Sequence, residues 1–276
     1  MTRLVRIALV PLLPIAGAVA LSVATAGDAA AQRSTERDFT WSGKIPQGRW
    51  ITVHNLNGTV EVSAGTSDKV EVTATKHVRR GDPDYVRFEV RKFGPSGQDV
   101  SICALWGENS DCDEDGYHGR NNSGRGSRDN EVWVEFQVRV PKGVKVGAHS
   151  VNGEVRVEDV AAEVEAESVN GSVSVSTTSG PVNASTVNGS VRARMGRFDL
   201  DSDLRFSSVN GTVIAEFADD INAEVDLSTV NGRFLTDYPV TISGRIDPKR
   251  LRAKLGKGGP RIHMSTVNGN VELRKR

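Results

Sequence analysis

The feature that most constrains this chain is a short phrase, Ser/Thr-Val-Asn-Gly, that recurs through its C-terminal half. The copies end at glycines 18, 18, 22, 21 and 37 residues apart: Ser150–Gly153, Ser168–Gly171, Thr186–Gly189, Ser208–Gly211, Thr229–Gly232 and Thr266–Gly269. A related copy, Asn55–Gly58, stands near the other end. Periods of this length are typical of repeat architectures. The last interval is about twice the others, which predicts that one repeat unit lacks the phrase.

Around each glycine, apolar residues alternate with polar ones. In one copy the apolar positions are Val169, Val173 and Val175. This period of two predicts β-strands with one buried face, and it counts the valine two residues before each glycine among the buried residues. The Asn-Gly pair predicts a corner where positive φ is tolerated. The predicted corners are Asn57-Gly58, Asn152-Gly153, Asn170-Gly171, Asn188-Gly189, Asn210-Gly211, Asn231-Gly232 and Asn268-Gly269. Gly180, midway between two of them, indicates a second corner in each repeat.

Two all-β architectures fit this pattern. Asn-Gly between alternating runs is the usual signal of a two-residue hairpin, which would give an antiparallel meander or sandwich. In a single-stranded β-solenoid (β-helix), each repeat is instead one coil of 18–22 residues, and like residues stack on the next coil. A meander needs only tight turns, whereas a solenoid favours the same phrase at every corner. We therefore expect the solenoid, with the meander as the alternative.

Two longer runs carry a family resemblance. Together with the repeats, these runs resemble the bacterial putative-adhesin domain family. They are the segment from Ala223 to Gly232 and the ending from Gly256 to Leu273, which contains Gly-Gly-Pro. The resemblance covers roughly residues 36–276 and is densest after Val140. It implies an exported β-helical domain of the cell envelope whose biochemical role is largely uncharacterised. It supplies no catalytic residues and no cofactor.

Composition and pattern divide the chain into four segments. Residues 1–31 have a basic start, an apolar run and the small-residue site Ala29-Ala30-Ala31, which predicts a cleaved signal peptide. Residues 32–93 read as the first strands of the solenoid. Residues 94–130 are rich in Gly, Asn, Ser and Asp and predict a loop or hairpin excursion. Residues 131–276 hold the repeats, beginning with a clear strand at 131–140. No later segment is long and apolar enough to cross a membrane, so we expect an exported protein that is periplasmic, extracellular or on the cell surface.

The charges are balanced, with 35 basic and 35 acidic residues. This argues against nucleic-acid binding, which needs a basic excess, and against electrostatic attachment to an anionic membrane. Cys103 and Cys112 lie close together in the part expected to be exported, where paired cysteines are the common outcome. They predict a structural disulfide that pins the 94–130 segment.

Several polar clusters are candidate sites. Asp111, Asp113 and Asp115 match the opening of a calcium loop, but position 122 is asparagine where a bidentate glutamate belongs. They are weak candidates for Ca²⁺ against an ordinary acidic loop. Asp199, Asp201 and Asp203 lie on one predicted strand face and are more simply solvated charges. Equivalent positions in two repeats hold His54 and His149, which favours corner packing over ligation. Of the tryptophans, we expect Trp133 to be partly in the core.

Three functions remain open at this point. The leading one is a non-enzymatic adhesion, scaffold or interaction module that binds an envelope protein or a glycan surface. The second, by fold-level analogy alone, is a polysaccharide-active enzyme. The third is an envelope-stress sensor that acts through a protein partner.

Overall fold

The computed structural model describes residues 32–34, 38–113, 116–119, 130–196, 202–218, 220–241 and 247–276. Within them the chain forms strands and two short 3₁₀ turns, Pro83–Tyr85 and Pro95–Gly97. The strands before the repeats are β1 Gln32–Ser34, β2 Asp38–Gly43, β3 Trp50–Asn57, β4 Val60–Ala64, β5 Val70–Arg80, β6 Val86–Phe93, β7 Asp99–Trp106, β8 Ser110–Asp113, β9 Gly116–Gly119 and β10 Glu131–Val140.

The repeat region continues the numbering. Its strands are β11 Lys145–Asn152, β12 Val155–Ala161, β13 Val164–Asn170, β14 Val173–Ser179, β15 Val182–Asn188, β16 Val191–Met195, β17 Leu204–Asn210, β18 Val213–Phe217, β19 Ala223–Asn231, β20 Phe234–Thr236, β21 Arg250–Leu255, β22 Arg261–Asn268 and β23 Val271–Lys275. Within the described residues no helix is long and apolar enough to cross a bilayer.

One coil consists of two strands and two corners. In the regular part, β13 ends at an Asn-Gly corner, β14 follows and ends at the Gly180 corner, and β15 begins the next coil. From β11 to β18, odd strands join one sheet and even strands another, and each pairs in parallel with its equivalent one coil away, for example Val164 with Val182 and Val173 with Val191. The predicted single-stranded β-solenoid is confirmed, and the second corner of each repeat is where Gly180 indicated it.

The two sheets face each other across a narrow interior. Inward positions on every strand hold mostly valine and alanine, such as Val173, Val175 and Ala184, which are nearly inaccessible to solvent. Small branched side chains suit this space because each coil lies only about 4.8 Å from the next, so identical side chains must stack on one another. Aromatic residues occur in the same interior nearer the two ends, where Phe88 packs edge-on against Phe136 with ring centroids 5.9 Å apart.

The order of the coils at the C-terminal end departs from the order in the sequence. The eleven-stranded sheet runs β1-β6-β7-β3-β11-β13-β15-β17-β22-β19-β21, and the ten-stranded sheet runs β2-β5-β10-β4-β12-β14-β16-β18-β23-β20. The last coil, β22 with β23, therefore lies between β17–β18 and β19–β20. The expectation that the 37-residue interval contains a coil lacking the phrase is wrong. That interval instead contains β21, which pairs antiparallel with β19 and covers the end of the sheet.

The N-terminal end shows a similar insertion. Strands β3 and β4 form a coil that pairs in parallel with β11 and β12, and β7 and β10 stack on its other side. Beyond them the pairing becomes antiparallel, between β6 and β7 and between β5 and β10. Among residues 32–93, β3 and β4 thus pair in parallel with coils on both sides, whereas β1, β2, β5 and β6 extend the two sheets by antiparallel pairing. The segment 94–130, expected to be a loop or hairpin excursion, contains the fully paired strand β7 and the β8–β9 hairpin.

Each Asn-Gly corner is held by a ladder of like groups. The asparagine amides donate along the stack at 2.8–2.9 Å, in the order Asn231 to Asn268 to Asn210 to Asn188 to Asn170 to Asn152 to Asn57. The Ser or Thr hydroxyl of each phrase donates to the corner glycine carbonyl of a neighbouring coil, as from Thr186 to Gly171 at 2.7 Å. Both polar columns are satisfied only because the coils are in register.

The corner glycines are needed chiefly for close approach. Gly58 has a positive φ of 116°, as the sequence suggested, but Gly171, in the middle of the stack, is not among the glycines with positive φ. A Cβ built on Gly171 would overlap the carbonyl oxygen of Gly153 in the adjacent coil. Any larger residue would therefore push two coils apart.

Candidate binding surface

The most distinctive surface of the molecule is the outer face of the eleven-stranded sheet. It carries an exposed apolar column one residue wide, which we call the valine ridge. In spatial order the ridge consists of Leu56, Val151, Val169, Val187, Val209, Val267 and Val230. The five valines from 169 onward are 38–50% exposed. The expectation that these valines are buried is wrong, because the Ser or Thr before each one points inward and strand alternation then turns the valine outward.

Beside the ridge runs an open groove of about 810 Å³. Its floor carries Glu165 and Glu167 on β13 and hydroxyl groups of the next two coils, Ser185 and Ser207. Trp50, Phe93 and Tyr117 line its N-terminal end. The groove thus has an apolar edge, a floor that carries hydroxyl groups and an aromatic end. This combination suits an elongated partner that lies along the stack.

The disulfide shapes the aromatic end of the groove. Cys103 on β7 and Cys112 on β8 are joined, which confirms the predicted pair. The cystine and Leu105 form a small buried cluster against which Tyr117 packs. The β8–β9 hairpin thereby lies over the outer face of β7. At its turn, a Cβ on Gly116 would come within 2.8 Å of the His54 ring, so glycine allows the hairpin to lie this close.

Two histidines stack where the hairpin meets the groove. The rings of His54 and His149 are 4.7 Å apart and nearly parallel, so the two equivalent repeat positions pack on one another. Burial, with a smaller contribution from His149, lowers the pKa of His54 to about 3. His54 is therefore neutral at physiological pH, and among the described residues its Nε2 has no hydrogen-bond partner.

Glu167, in the floor of the groove, is held ionised by its neighbours. His149 Nδ1 lies 3.5 Å from Glu167 Oε2, and Ser185 donates to Glu167 Oε1 at 3.2 Å. The hydrogen bond from His149 is the main reason that the pKa of Glu167 is lowered. A general acid for glycoside cleavage needs a raised pKa instead. Among the described residues that line the groove, Glu165 and Glu167 are the only carboxylates, and the arrangement suits binding better than acid–base catalysis.

The opposite end of the same face is basic. Arg205, Arg250, Arg252, Lys254 and Arg261 project from β17, β21 and β22. Between them lie two carboxylates on β19, Glu224 and Asp226. Arg250 binds Asp226 through two hydrogen bonds of 2.8 and 2.6 Å, and this contact lowers the pKa of the carboxyl group.

The acidic candidates from the sequence do not come together as a site. Asp111 binds Arg91 at 3.0 Å, and Asp113 binds His118 at 2.8 Å. Asp115 lies outside the described residues, as do Asp199 and Asp201. Asp203 accepts a hydrogen bond from the backbone N–H of Arg261 at 2.8 Å. In the part of the chain that the structure describes, no three His, Cys, Asp or Glu side chains are arranged to hold a metal ion.

Trp133 also differs from its expectation. Its neighbours Val132 and Val134 point into the core, so Trp133 points outward and is 37% exposed. Its ring stacks on His77 with centroids 5.3 Å apart. Trp133 lies on the ten-stranded sheet, away from the groove.

No sequence motif marks Glu165, Glu167, Tyr117 or the ridge as functional. The sequence does contain a signal for the outward face. The Ser or Thr of each phrase donates its hydroxyl to a corner carbonyl, so its side chain must point into the interior. Side chains alternate between the two faces of a strand, so an inward Ser or Thr places the ridge valine that follows it on the outer face. The same alternation places Glu165 and Glu167 on the outer face.

These features define a class of protein: a two-sheet β-solenoid with antiparallel strands at its ends and one open, grooved face. The sequence model of the Toastrack DUF4097 family matches residues 135–274, and the chain belongs to this family. No curated protein matches the sequence.

Two solved structures are similar to this chain. One, a putative cell adhesion protein from Clostridium sporogenes ATCC 15579, is 8% identical, with a TM-score of 0.50 over 87% of this chain and 99% of that one. The other, a putative adhesin from Bacteroides fragilis NCTC 9343, is 12% identical, with a TM-score of 0.39 over 87% of this chain and 98% of that one. At such low identity the first similarity concerns the fold alone.

Proposed function

We propose that this protein is a non-enzymatic adhesion or scaffold module of the bacterial cell envelope, and that it binds its partner along the outer face of the eleven-stranded sheet. The observation that carries the proposal is the combination of the valine ridge with the long groove beside it. Exposed apolar surface next to polar groups is the usual mark of an interaction site. The predicted signal peptide and the disulfide support an exported location.

The adhesion role is favoured over catalysis by the groove chemistry. Glu165 and Glu167 lie on one strand, and the lowered pKa of Glu167 suits a permanent anion. An enzyme that cleaves polysaccharides would need a second group poised to donate a proton. The Clostridium sporogenes protein of similar fold is named as a putative cell adhesion protein, which is consistent with this role.

The test is binding of isolated envelope fractions and arrayed glycans to the immobilised protein. Val169→Arg fills the groove edge with a charged side chain and should reduce binding at least about tenfold. Ser174→Arg, on the outer face of β14 in the other sheet, is the matched control and should bind like the wild type. Equal binding by both variants would contradict the proposed surface, and release of a shortened glycan would overturn the non-enzymatic role.

A further inference from the structure

Each of the seven Asn-Gly corners carries a reactive pair of groups. The glycine nitrogen can attack the asparagine Cγ and close a succinimide ring, because glycine has no Cβ to hinder the approach. In this step the N–Cγ bond forms, the Cγ–Nδ2 bond breaks, and the proton of the nitrogen leaves with ammonia. Water then opens the ring. Attack on the side-chain carbonyl leaves aspartate, and attack on the backbone carbonyl leaves isoaspartate.

The solenoid restrains the attacking nitrogen at most corners. The nitrogen must lose its proton before it can attack, and a hydrogen bond made by that proton opposes the loss. Five corner glycines donate their N–H to the asparagine carbonyl of the adjacent coil at 2.9–3.1 Å: Gly58, Gly171, Gly189, Gly211 and Gly269. Ring closure at these corners therefore requires that two coils separate.

The asparagine ladder restrains the other reacting group. Asn188 donates its side-chain amide to Asn170 and accepts from Asn210, each at 2.8 Å. An amide held on both sides cannot turn its Cγ towards the next glycine without breaking both hydrogen bonds. The other side chains that both donate and accept in the ladder are those of Asn152, Asn170, Asn210 and Asn268.

The corner at Asn231 and Gly232 lacks both restraints. Corner glycines donate in one direction along the stack, and the coil of β19 and β20 is the last in that direction. The N–H of Gly232 consequently has no hydrogen-bond partner among the described residues. The side chain of Asn231 donates to Asn268 at 2.8 Å, and no residue in the described part of the chain donates to its Oδ1.

The end of the stack also leaves this corner open. Strand β21 pairs with β19 from Ala223 to Ser228 and stops short of the corner. Val230, directly before Asn231, is 50% exposed, against 38–40% for the equivalent valines of the four neighbouring coils. Regions with few contacts open at a lower free energy than the core of a fold. Asn231 and Gly232 are therefore free to reach the geometry of ring closure more often than the inner pairs.

Two other corners keep one restraint each. Gly153 donates to no backbone carbonyl within the described ranges, but the side chain of Asn152 is held on both sides. Asn57, at the opposite end of the ladder, only accepts, but Gly58 donates its N–H to the carbonyl of Asn152 at 2.9 Å. Conversion at these two corners should lie between that at the last corner and that at the inner ones.

We propose that Asn231 is a modification site, which converts through the succinimide to aspartate and isoaspartate while the other six Asn-Gly pairs persist in the folded chain. The inference goes beyond the proposed function and does not depend on what the grooved face binds. The ionised product cannot donate to Asn268, and isoaspartate also lengthens the main chain at the corner. The modification therefore releases the last coil from the ladder.

The first test is incubation of the folded full chain in mildly alkaline buffer, followed by peptide mass mapping. Position 231 should convert at least about tenfold faster than position 188, because it is free of the restraints on the inner corner. The same chain in urea is the matched control, since all the pairs are then unrestrained and should convert within about twofold of one another. Equal rates at positions 231 and 188 in the folded chain would overturn the inference, as would faster conversion at any other corner.

The products test the chemistry. Ring opening gives aspartate and isoaspartate together, whereas direct hydrolysis of the amide gives aspartate alone. Asn231→Gln can close only a larger ring, so conversion at this position should fall at least about tenfold, with no change at position 188. Aspartate without isoaspartate at position 231 would rule out the succinimide route.

A double variant tests whether the ladder is a restraint. In Asn170→Ala combined with Asn210→Ala, the side chain of Asn188 loses both partners, but Gly189 still donates its N–H to the backbone carbonyl of residue 210. Conversion at position 188 should rise about threefold or more and stay slower than at position 231. An unchanged rate at position 188 would contradict the protection assigned to the ladder.

Discussion

Two regions of this molecule use the same interior in different ways. From Lys145 to Met195 the chain pairs each strand with the one a single coil later, in parallel and with like residues in register. From Asp38 to Val140 it mixes pairs of strands that are far apart in sequence, such as β2 with β5 and β5 with β10, with pairs of consecutive strands such as β6 with β7, and the outermost pairs are antiparallel. The first of these, which we call the regular region, repeats the same two-strand coil. The second, which we call the irregular region, covers the end of the stack.

The two regions differ because the edge strands of a sheet must be covered. A stack of parallel coils leaves unpaired N–H and C=O groups at each end, which invite association with other chains. Antiparallel strands cover the eleven-stranded sheet at both ends, through β6 on β7 and β21 on β19. The repeats therefore depend on close approach between identical corners, and the end regions depend on individual contacts such as the disulfide.

The largest effect should come from a corner glycine in the regular region. Gly171→Ala places a methyl group against the backbone carbonyl of Gly153, and neither backbone can move without separating the coils. We expect a loss of about 3 kcal/mol or more in the free energy of unfolding. Gly48→Ala in the irregular region meets nothing within 4 Å but has a φ of 79°, so its loss should be about 1 kcal/mol. Urea denaturation measures both, and equal losses would remove the distinction between the regions.

Removing the disulfide tests whether the irregular region can unfold independently of the regular coils. Cys103→Ser combined with Cys112→Ser opens a loop with a sequence separation of 9. The chain-entropy argument gives a loss of about 2.5 kcal/mol. Amide hydrogen exchange should rise in β7, β8 and β9 and stay unchanged in β13 to β16. Faster exchange throughout the regular coils would show that the two regions unfold as one unit.

His54 should make stability depend on pH at the junction of the two regions. Its pKa is about 3 in the folded chain against an ordinary 6.5, so the unfolded state binds the extra proton. Stability is fully present above pH 6.5 and is lost as the pH falls toward 3. Between pH 7.5 and 5 the wild type should lose about 2 kcal/mol more than His54→Gln, measured by urea denaturation. Parallel losses in the two proteins would contradict the burial of a neutral imidazole.

The smallest expected effect concerns the asparagine ladder. Asn188 both donates to Asn170 and accepts from Asn210, whereas Asn231 at the end of the ladder only donates. Both side chains are exposed, so Asn188→Ala should cost about 1 kcal/mol and Asn231→Ala about 0.5 kcal/mol in the free energy of unfolding. Thermal unfolding of the two variants provides the comparison, and a larger loss at Asn231 would run against the ladder.

The regular region was largely predictable from sequence. The repeated phrase predicted coils, register and both corners, and the alternation predicted the β10 strand at Glu131–Val140 with its boundaries. This worked because each coil repeats the same local signals. The irregular region was less predictable, since β5 pairs with β2 and β10, and β7 pairs with β3, which are distant strands that share no phrase with them.

Two errors have a common physical origin. Identical phrases in all coils carry no information about which coil lies next to which, so the insertion of β22–β23 before β19–β20 could not be predicted. In the same way, apolar character alone did not tell which side of the strand the ridge valines occupy. The inward hydroxyls of Ser168 and Thr186 decide that side, because they donate to the corner carbonyls.

The groove was beyond sequence reasoning for a further reason. It brings together Trp50, Tyr117 and Glu167, which come from β3, β9 and β13. The contact between the hairpin and His54 depends on the disulfide and on Gly116. No spacing in the sequence indicates such an arrangement.

The most direct test of the account is disulfide trapping between neighbouring coils. Ser207 of β17 pairs in register with Ser265 of β22, and Ser265 pairs with Ser228 of β19. Ser207→Cys combined with Ser265→Cys should therefore give an intramolecular link under mild oxidation, detected by peptide mass spectrometry, because adjacent parallel strands bring the two Cα atoms within disulfide range. Ser207→Cys combined with Ser228→Cys should stay reduced. A link between positions 207 and 228, with none between 207 and 265, would show that the coils follow sequence order and would contradict the fold described above.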